Sequence, residues 1–277
     1  MANVRIVRAN LSDTATLTAD QEAGTLVVEN LQVDRKTQAW RSTGLTPTIT
    51  VNFSPAVSVS MVSLAFASLL STATMTVKGY TLTGDVVAAF DTGAVSCCQS
   101  GSLSDLDWGN DSNGINSVSV GGGVYATSWF TGGSIERLTI ALNDTGNSLG
   151  YIEAGKLIVG DYWEASVNAD YGANAGYDDR SSNNRNDSGD LVTERGAKNK
   201  TMEFDFSFMG QSDRNYMTKL LANNGIGRPF FISLFPEDAD STLEQLHQLY
   251  AKASSSSSSI TNAFYSRSST KTKVEEV

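Results

Sequence analysis

The chain contains one histidine and two cysteines, so the side chains that most often carry out chemistry are scarce. His247, with an ordinary imidazole pKa of ~6.5, suits general acid–base work. No Gly-x-Ser-x-Gly elbow accompanies it as a nucleophile, and one imidazole cannot build a metal cluster. Its place between Leu246 and Leu249, in a stretch of helical periodicity, suits the edge of a core. Cys97 and Cys98 are adjacent, which gives neither a disulfide framework nor metal-ligand spacing. Two free thiols are expected, with a vicinal disulfide as the alternative. The paired carboxylates Asp178/Asp179, Asp238/Asp240 and Glu275/Glu276 invite a glycosidase reading, but sequence adjacency does not set the separation two catalytic carboxyls need. Gly121-Gly122-Gly123 lacks the Lys-Ser/Thr of a phosphate loop and reads as a turn. These residues predict a chain that is not an enzyme.

Oxygen-rich turns offer a second kind of chemistry. Aligned on Gly114, the Asn110-Asp111-Ser112-Asn113-Gly114 run would need Asp at position 109 and Glu at position 120 to make an EF-hand, and Gly109 and Val120 stand there. An irregular calcium site from Asp105, Asp107 and Asp111 stays open beside a plain turn, and no other cofactor is expected. The aromatic residues are the stronger lead. Trp40, Trp108, Tyr125 and Trp129 fall in or near expected loops, where a ring can stack on a sugar or bury in a partner. The alternative for Trp40 and Trp129 is a plain role as core or strand-end anchors.

The elements that must hold these residues are mostly strands. Period-two alternation places Ile49, Val51 and Phe53 on one face, likewise Ala73, Met75 and Val77, and likewise Leu138, Ile140 and Leu142. Met202, Phe204, Phe206 and Phe208 share one side of a strand whose other side is polar. Asn/Asp/Gly clusters such as Asp91-Thr92-Gly93 and Asn143-Asp144-Thr145-Gly146-Asn147 supply turns, and many short strands with frequent turns indicate a sandwich. Helical spacing predicts one helix over 212–224, N-capped by Ser212 and stopped by Gly225. A second, from the Ser241-to-Glu244 capping box, carries Leu243, Leu246, Leu249 and Tyr250 on one stripe. The serines 254–259 read as a loop before a last strand, 263–274.

At 277 residues the chain allows one large domain or two modest ones. With 40% hydrophobic and 18% charged residues it is folded, with a neutral-polar surface. A net charge of -10 repels phosphate backbones, which excludes nucleic acid. The longest apolar stretch, Val57 to Leu70, is interrupted by Ser58, Ser60, Ser63 and Ser68 and falls short of a membrane span, so no membrane insertion is expected. The first residues lack an apolar signal core, which predicts synthesis in a cytoplasm. Composition shifts near residue 160, where an apolar-poor stretch rich in Asn, Asp, Gly, Ser and Arg begins. It predicts an extended arm over 165–200, with Asp179, Arg180, Arg185, Asp190 and Arg195 as polar inter-subunit contacts.

The first part resembles the discoidin-like, galactose-binding-type jelly roll through Glu29-Asn30-Leu31, Gln38-Ala39-Trp40-Arg41-Ser42, the strand 49–53, and Gly150-Tyr151-Ile152-Glu153 ahead of Lys156-Leu157-Ile158-Val159-Gly160. Through Gly160-Asp161-Tyr162-Trp163-Glu164, Asn168-Ala169-Asp170-Tyr171-Gly172 and Gly225-Ile226-Gly227-Arg228-Pro229-Phe230-Phe231, the whole chain resembles tailed-bacteriophage minor structural proteins of the tail tip or baseplate. The resemblance implies a mainly β protein with a jelly-roll β-sandwich over 1–160. A second, smaller β domain over 161–277 would carry one or two short helices and the extended arm. It further implies a non-enzymatic virion component, made in the host bacterial cytoplasm, that assembles with itself as a homo-oligomer or ring and with other tail proteins. The alternative is a carbohydrate-binding module for host adsorption, with Trp40, Trp108, Tyr125 or Trp129 stacking on surface glycans.

Overall fold

The fold is that of a computed structural model, which describes residues 2–98, 124–238, 241–254, 260–264 and 267–277. The protein is mainly β, with a jelly-roll-type β-sandwich and, among the described residues, two α-helices, Gln211–Asn224 and Ser241–Leu246. The chain divides into two compact units, one of Met1–Glu164 with Phe230–Tyr250 and the other of Ala165–Pro229 with Ala251–Val277.

The first unit is organised by two long strands, Thr48–Ala67 and Val124–Asn143, paired antiparallel along most of their length. Thr74–Tyr80 and Phe90–Ser96 extend this sheet beyond Val124–Asn143, and Thr16–Ala19 and Lys156–Gly160 flank Thr48–Ala67. Alternation decides the first half of Thr48–Ala67, where Ile49, Val51 and Phe53 are buried between polar neighbours. From 59 to 65 every residue is buried, the pattern of a strand covered on both faces. The cover comes from a second layer in which Arg5–Val7 pairs with Trp163–Glu164 and Phe230–Ser233. Phe231 of this layer sits 6.0 and 6.1 Å, ring to ring, from Tyr125 and Trp129 of the long strand. The main core joins Trp40, Ile49, Val51, Leu64, Met75, Ile140 and Leu157, none with any exposed surface. Each such aliphatic side chain contributes roughly 1.5 to 3 kcal/mol on burial.

The second unit is built on Lys198–Met209, paired on one side with Arg267–Glu276 and on the other with Asn174–Asp179. Met202, Phe204 and Phe206 are buried as expected, whereas Phe208 is half exposed and Met209 is buried in its place. A register shift between Phe206 and Met209 causes this, because one inserted residue turns the following side chains to the opposite face. Arg267–Glu276 also pairs with Ile260–Phe264, so the expected single last strand over 263–274 is a hairpin.

Both helices depart from expectation at their ends. The first starts at Gln211, with Gly210 rather than Ser212 at the N-cap, and ends at Gly225, whose φ of +50° and N–H bond to Leu221 O close it. The second stops at Leu246, and Leu249 and Tyr250 are buried in a strand, Gln248–Ala253, rather than on a helical stripe. The Glu244 carboxylate, expected at the head of this helix, accepts from Trp129 Nε1 at 2.7 Å and Glu237 N at 3.2 Å.

Candidate functional site

Burial takes two of the expected aromatic platforms, Trp40 and Tyr125, from the surface of the first unit. Trp40 has no exposed area and its indole N–H donates to Gln21 O at 3.1 Å, so no ring face is open to a ligand. Tyr125 is 4% exposed, packs against Phe66 and Phe231, and its hydroxyl accepts from Tyr250 N. Trp129 is half-buried, edge-on to Tyr162, with Arg5 stacked over both rings at 5.1 and 4.3 Å. These are anchoring contacts. Trp108, the Asp105, Asp107 and Asp111 calcium candidates and the glycines 121–123 lie outside the described residues.

The expected arm is a pair of hairpin strands. Ser182–Arg185 pairs with Leu191–Glu194, beyond Asn174–Asp179. Its charged residues find partners within the chain: Arg180 Nη2 meets Glu275 at 2.8 Å, Lys198 meets Asp179 at 3.3 Å, and Arg185 donates to Gly189 O at 2.7 Å. The Asp190 backbone N–H donates to the Asn186 side chain at 2.8 Å, and Arg195 lies on the exposed return of the hairpin.

His247 is held by its neighbours. Its Nδ1 lies 2.9 Å from Leu243 O and its ring stands edge-on to Phe235. Cys97 and Cys98 are buried free thiols, and the hydrogen bond with the neighbouring Cys97 sulfur, together with burial, pushes the Cys98 thiol well up, away from the reactive thiolate. Among the described residues no group of three or more His, Cys, Asp or Glu side chains could hold a metal ion.

A cleft of about 250 Å³ opens in the second unit, lined by Asp170, Tyr171, Asn174, Glu203, Asp205 and Lys271 among others. The strand pattern explains its walls. Burying Met202, Phe204 and Phe206 on one face of Lys198–Met209 forces Glu203, Asp205 and Ser207 onto the other. Lys271 stands directly opposite Asp205, and Asn174 opposite Glu203, in the paired strands. The turn 170–173 folds over this face. It is fixed by the Asp170 N–H to Asp205 O at 2.8 Å and by Ser207 Oγ donating to the Asp170 carboxylate. Gly172, with φ of +108°, permits a bend that a Cβ would strain. Tyr171, just before it, is fully exposed.

The charges in the cleft are unequal. Lys271 pairs with Glu203, which holds the Glu203 carboxyl below its ordinary range and the Lys271 ammonium above. A lowered carboxyl is the reverse of what a general acid for glycosidic cleavage requires. Asp205 Oδ1 is buried with no hydrogen-bond partner. The constellation suits binding of a polyhydroxylated ligand, with a ring face at the lip and both acceptors and donors on the walls. The sequence carried two signals for it, the Asp170-Tyr171-Gly172 turn and carboxylates at i and i+2 on the polar side of a Phe-rich strand. What it lacked was the pairing that brings residues 170, 203 and 271 together.

No protein-family model and no curated protein matches the sequence. Among solved structures, the chain is similar to a Clostridium perfringens carbohydrate-binding module in complex with GalNAc-β-1,3-galactose, at 10% identity over 55% of this chain and 100% of that one, with a TM-score of 0.39. It is similar to the family 32 carbohydrate-binding module of Clostridium perfringens NanJ in complex with galactose, at 13% identity over 57% and 99% of the two chains, with a TM-score of 0.37. A chitosan-binding module from a Paenibacillus sp. IK-5 chitosanase/glucanase matches at 15% identity over 55% and 99%, with a TM-score of 0.35. These bacterial sugar-binding modules overturn the bacteriophage expectation: the tail-tip or baseplate role, the tail-protein and self-assembly partners, and the virion location are corrected accordingly. At these identities and scores, what the modules bind is a property of theirs alone.

Proposed function

We propose that the protein binds carbohydrate without turning it over, and that the cleft in the second unit is a saccharide site. The observation that carries this reading is the fully exposed Tyr171 ring beside a small polar cleft. A sugar ring presents a C–H face that stacks on an aromatic ring, and a rim of hydroxyls that exchange hydrogen bonds with carboxylates, amides and ammonium groups. Asn174 can both donate and accept, Asp170 and Asp205 accept, and Lys271 donates. The volume of about 250 Å³ lies just below the roughly 300 to 1,000 Å³ of small-molecule pockets, which suits recognition of one or two rings of a longer chain.

The test is a glycan array probed with the labelled full chain and, in parallel, with Tyr171→Ala. Saturable signal on a defined set of glycans is expected for the wild type, with loss of that signal in the variant. Because Tyr171 is fully exposed, the variant should retain the wild-type thermal transition. No signal on any glycan, or equal signal from both proteins, would contradict the assignment.

A further inference from the structure

We propose that the cleft selects amine-bearing saccharides, chains of de-N-acetylated hexosamine, over their neutral and N-acetylated counterparts; this rests on the saccharide reading of the same site. The lining residues set three carboxylates, Asp170, Glu203 and Asp205, against one ammonium, Lys271. That ammonium is already engaged by Glu203, and its side chain is 68% exposed, so its charge sits toward solvent. Lys273, opposite Glu203 in the strand register, acts on the same carboxylate. Lys271 also acts on Asp205, its partner in the strand register, so the lining as a whole, three carboxylates against one largely exposed ammonium, leaves the cleft acidic.

A ligand for such a cleft should bring positive charge and several donors. A hexosamine ammonium brings both, adjacent to hydroxyls that can use Asn174 and the remaining carboxylate oxygens. Charge-assisted bonds of this kind are roughly twice as strong as neutral ones. Tyr171 adds to the preference, because the face of a tyrosine ring attracts a cation as well as a sugar C–H face. An N-acetyl group removes the charge and adds bulk, and a uronic acid would be repelled by the same carboxylates.

The deciding experiment is calorimetric titration of the full chain, at low salt, with tetrameric glucosamine, tetrameric N-acetylglucosamine and cellotetraose. The expected result is at least tenfold tighter binding of the amine oligomer than of either other ligand, with the ratio shrinking in 0.5 M NaCl. Asp205→Asn should bring the ratio toward one, and Asp170→Asn serves the same purpose if the first variant fails to fold. Equal affinity for the three ligands would overturn the selectivity while leaving the saccharide site standing. Absence of binding to all three, together with a silent array, would overturn the site itself. The protein carries a net charge of -10 and could attract any polycation, so Tyr171→Ala is the control. Undiminished amine binding in that variant would mean attraction by net charge alone and would also overturn the proposal.

Discussion

Single residues decide where this surface can act. Trp40, Tyr125 and Tyr171 are all aromatic residues near turns, yet the first two are buried and the third is open. Local sequence does not separate them, because burial of Trp40 depends on its indole reaching Gln21 O and on packing against residues from several strands. Lys200 shows how burial can be read as pH dependence. It is 8% exposed, and burial pulls its pKa down to about 8 against a partial offset from Glu276. The folded value lies below the unfolded one, so between pH 8 and 10.5 the unfolded chain holds a proton that the folded chain has released. Stability therefore rises with pH through that window, by up to about 3 kcal/mol at ~1.4 kcal/mol per unit. Urea denaturation at pH 7 and pH 9.5 should show the rise in the wild type and little of it in Lys200→Met, which should also be the more stable protein at pH 7. Equal pH slopes in the two proteins would contradict the assignment.

At the scale of elements, strands were legible and their ends were not. Alternation located 49–53, 73–77, 138–142 and 202–206 because one buried face imposes a period of two. The bulge after Phe206 and the strand at Gln248–Ala253 escaped it. Spacing of Leu246, Leu249 and Tyr250 satisfies a helix locally, and pairing of Gln248–Ala253 decides otherwise. Gly132 and Gly133 give a direct test of the central strand pair. A Cβ on Gly132 would lie 1.5 Å from Val59 O, whereas one on Gly133 would meet nothing within 4 Å. Gly132→Ala is therefore expected to destabilise the protein by about 2 kcal/mol or more, and Gly133→Ala by well under 1 kcal/mol, in chemical denaturation. Similar losses for both would show that the backbone does not approach so closely there. The hairpin ion pair is a weaker contributor: Arg180→Ala, which breaks the 2.8 Å contact to the partly exposed Glu275, should cost less than about 1 kcal/mol and less still in high salt.

At the scale of the whole molecule, composition indicated a folded, acidic chain, and the mainly β class followed from alternation. No helix among the described residues is long and apolar enough to cross a membrane. The candidate site was the least legible part, since it joins a turn at 170–173, a strand at 203–205 and a lysine at 271 that only sheet pairing makes neighbours. The resemblance to tail proteins supplied a role that the similar solved structures corrected, and the saccharide reading now rests on the cleft's own residues. The most direct measurement is a calorimetric titration of wild type and Tyr171→Ala with the strongest glycan from the array. One saturable site per chain is expected, with at least a tenfold loss of affinity in the variant, equivalent to about 1.4 kcal/mol. Equal affinity in a folded Tyr171→Ala protein, or no saturable binding by the wild type, would contradict a saccharide site at this cleft.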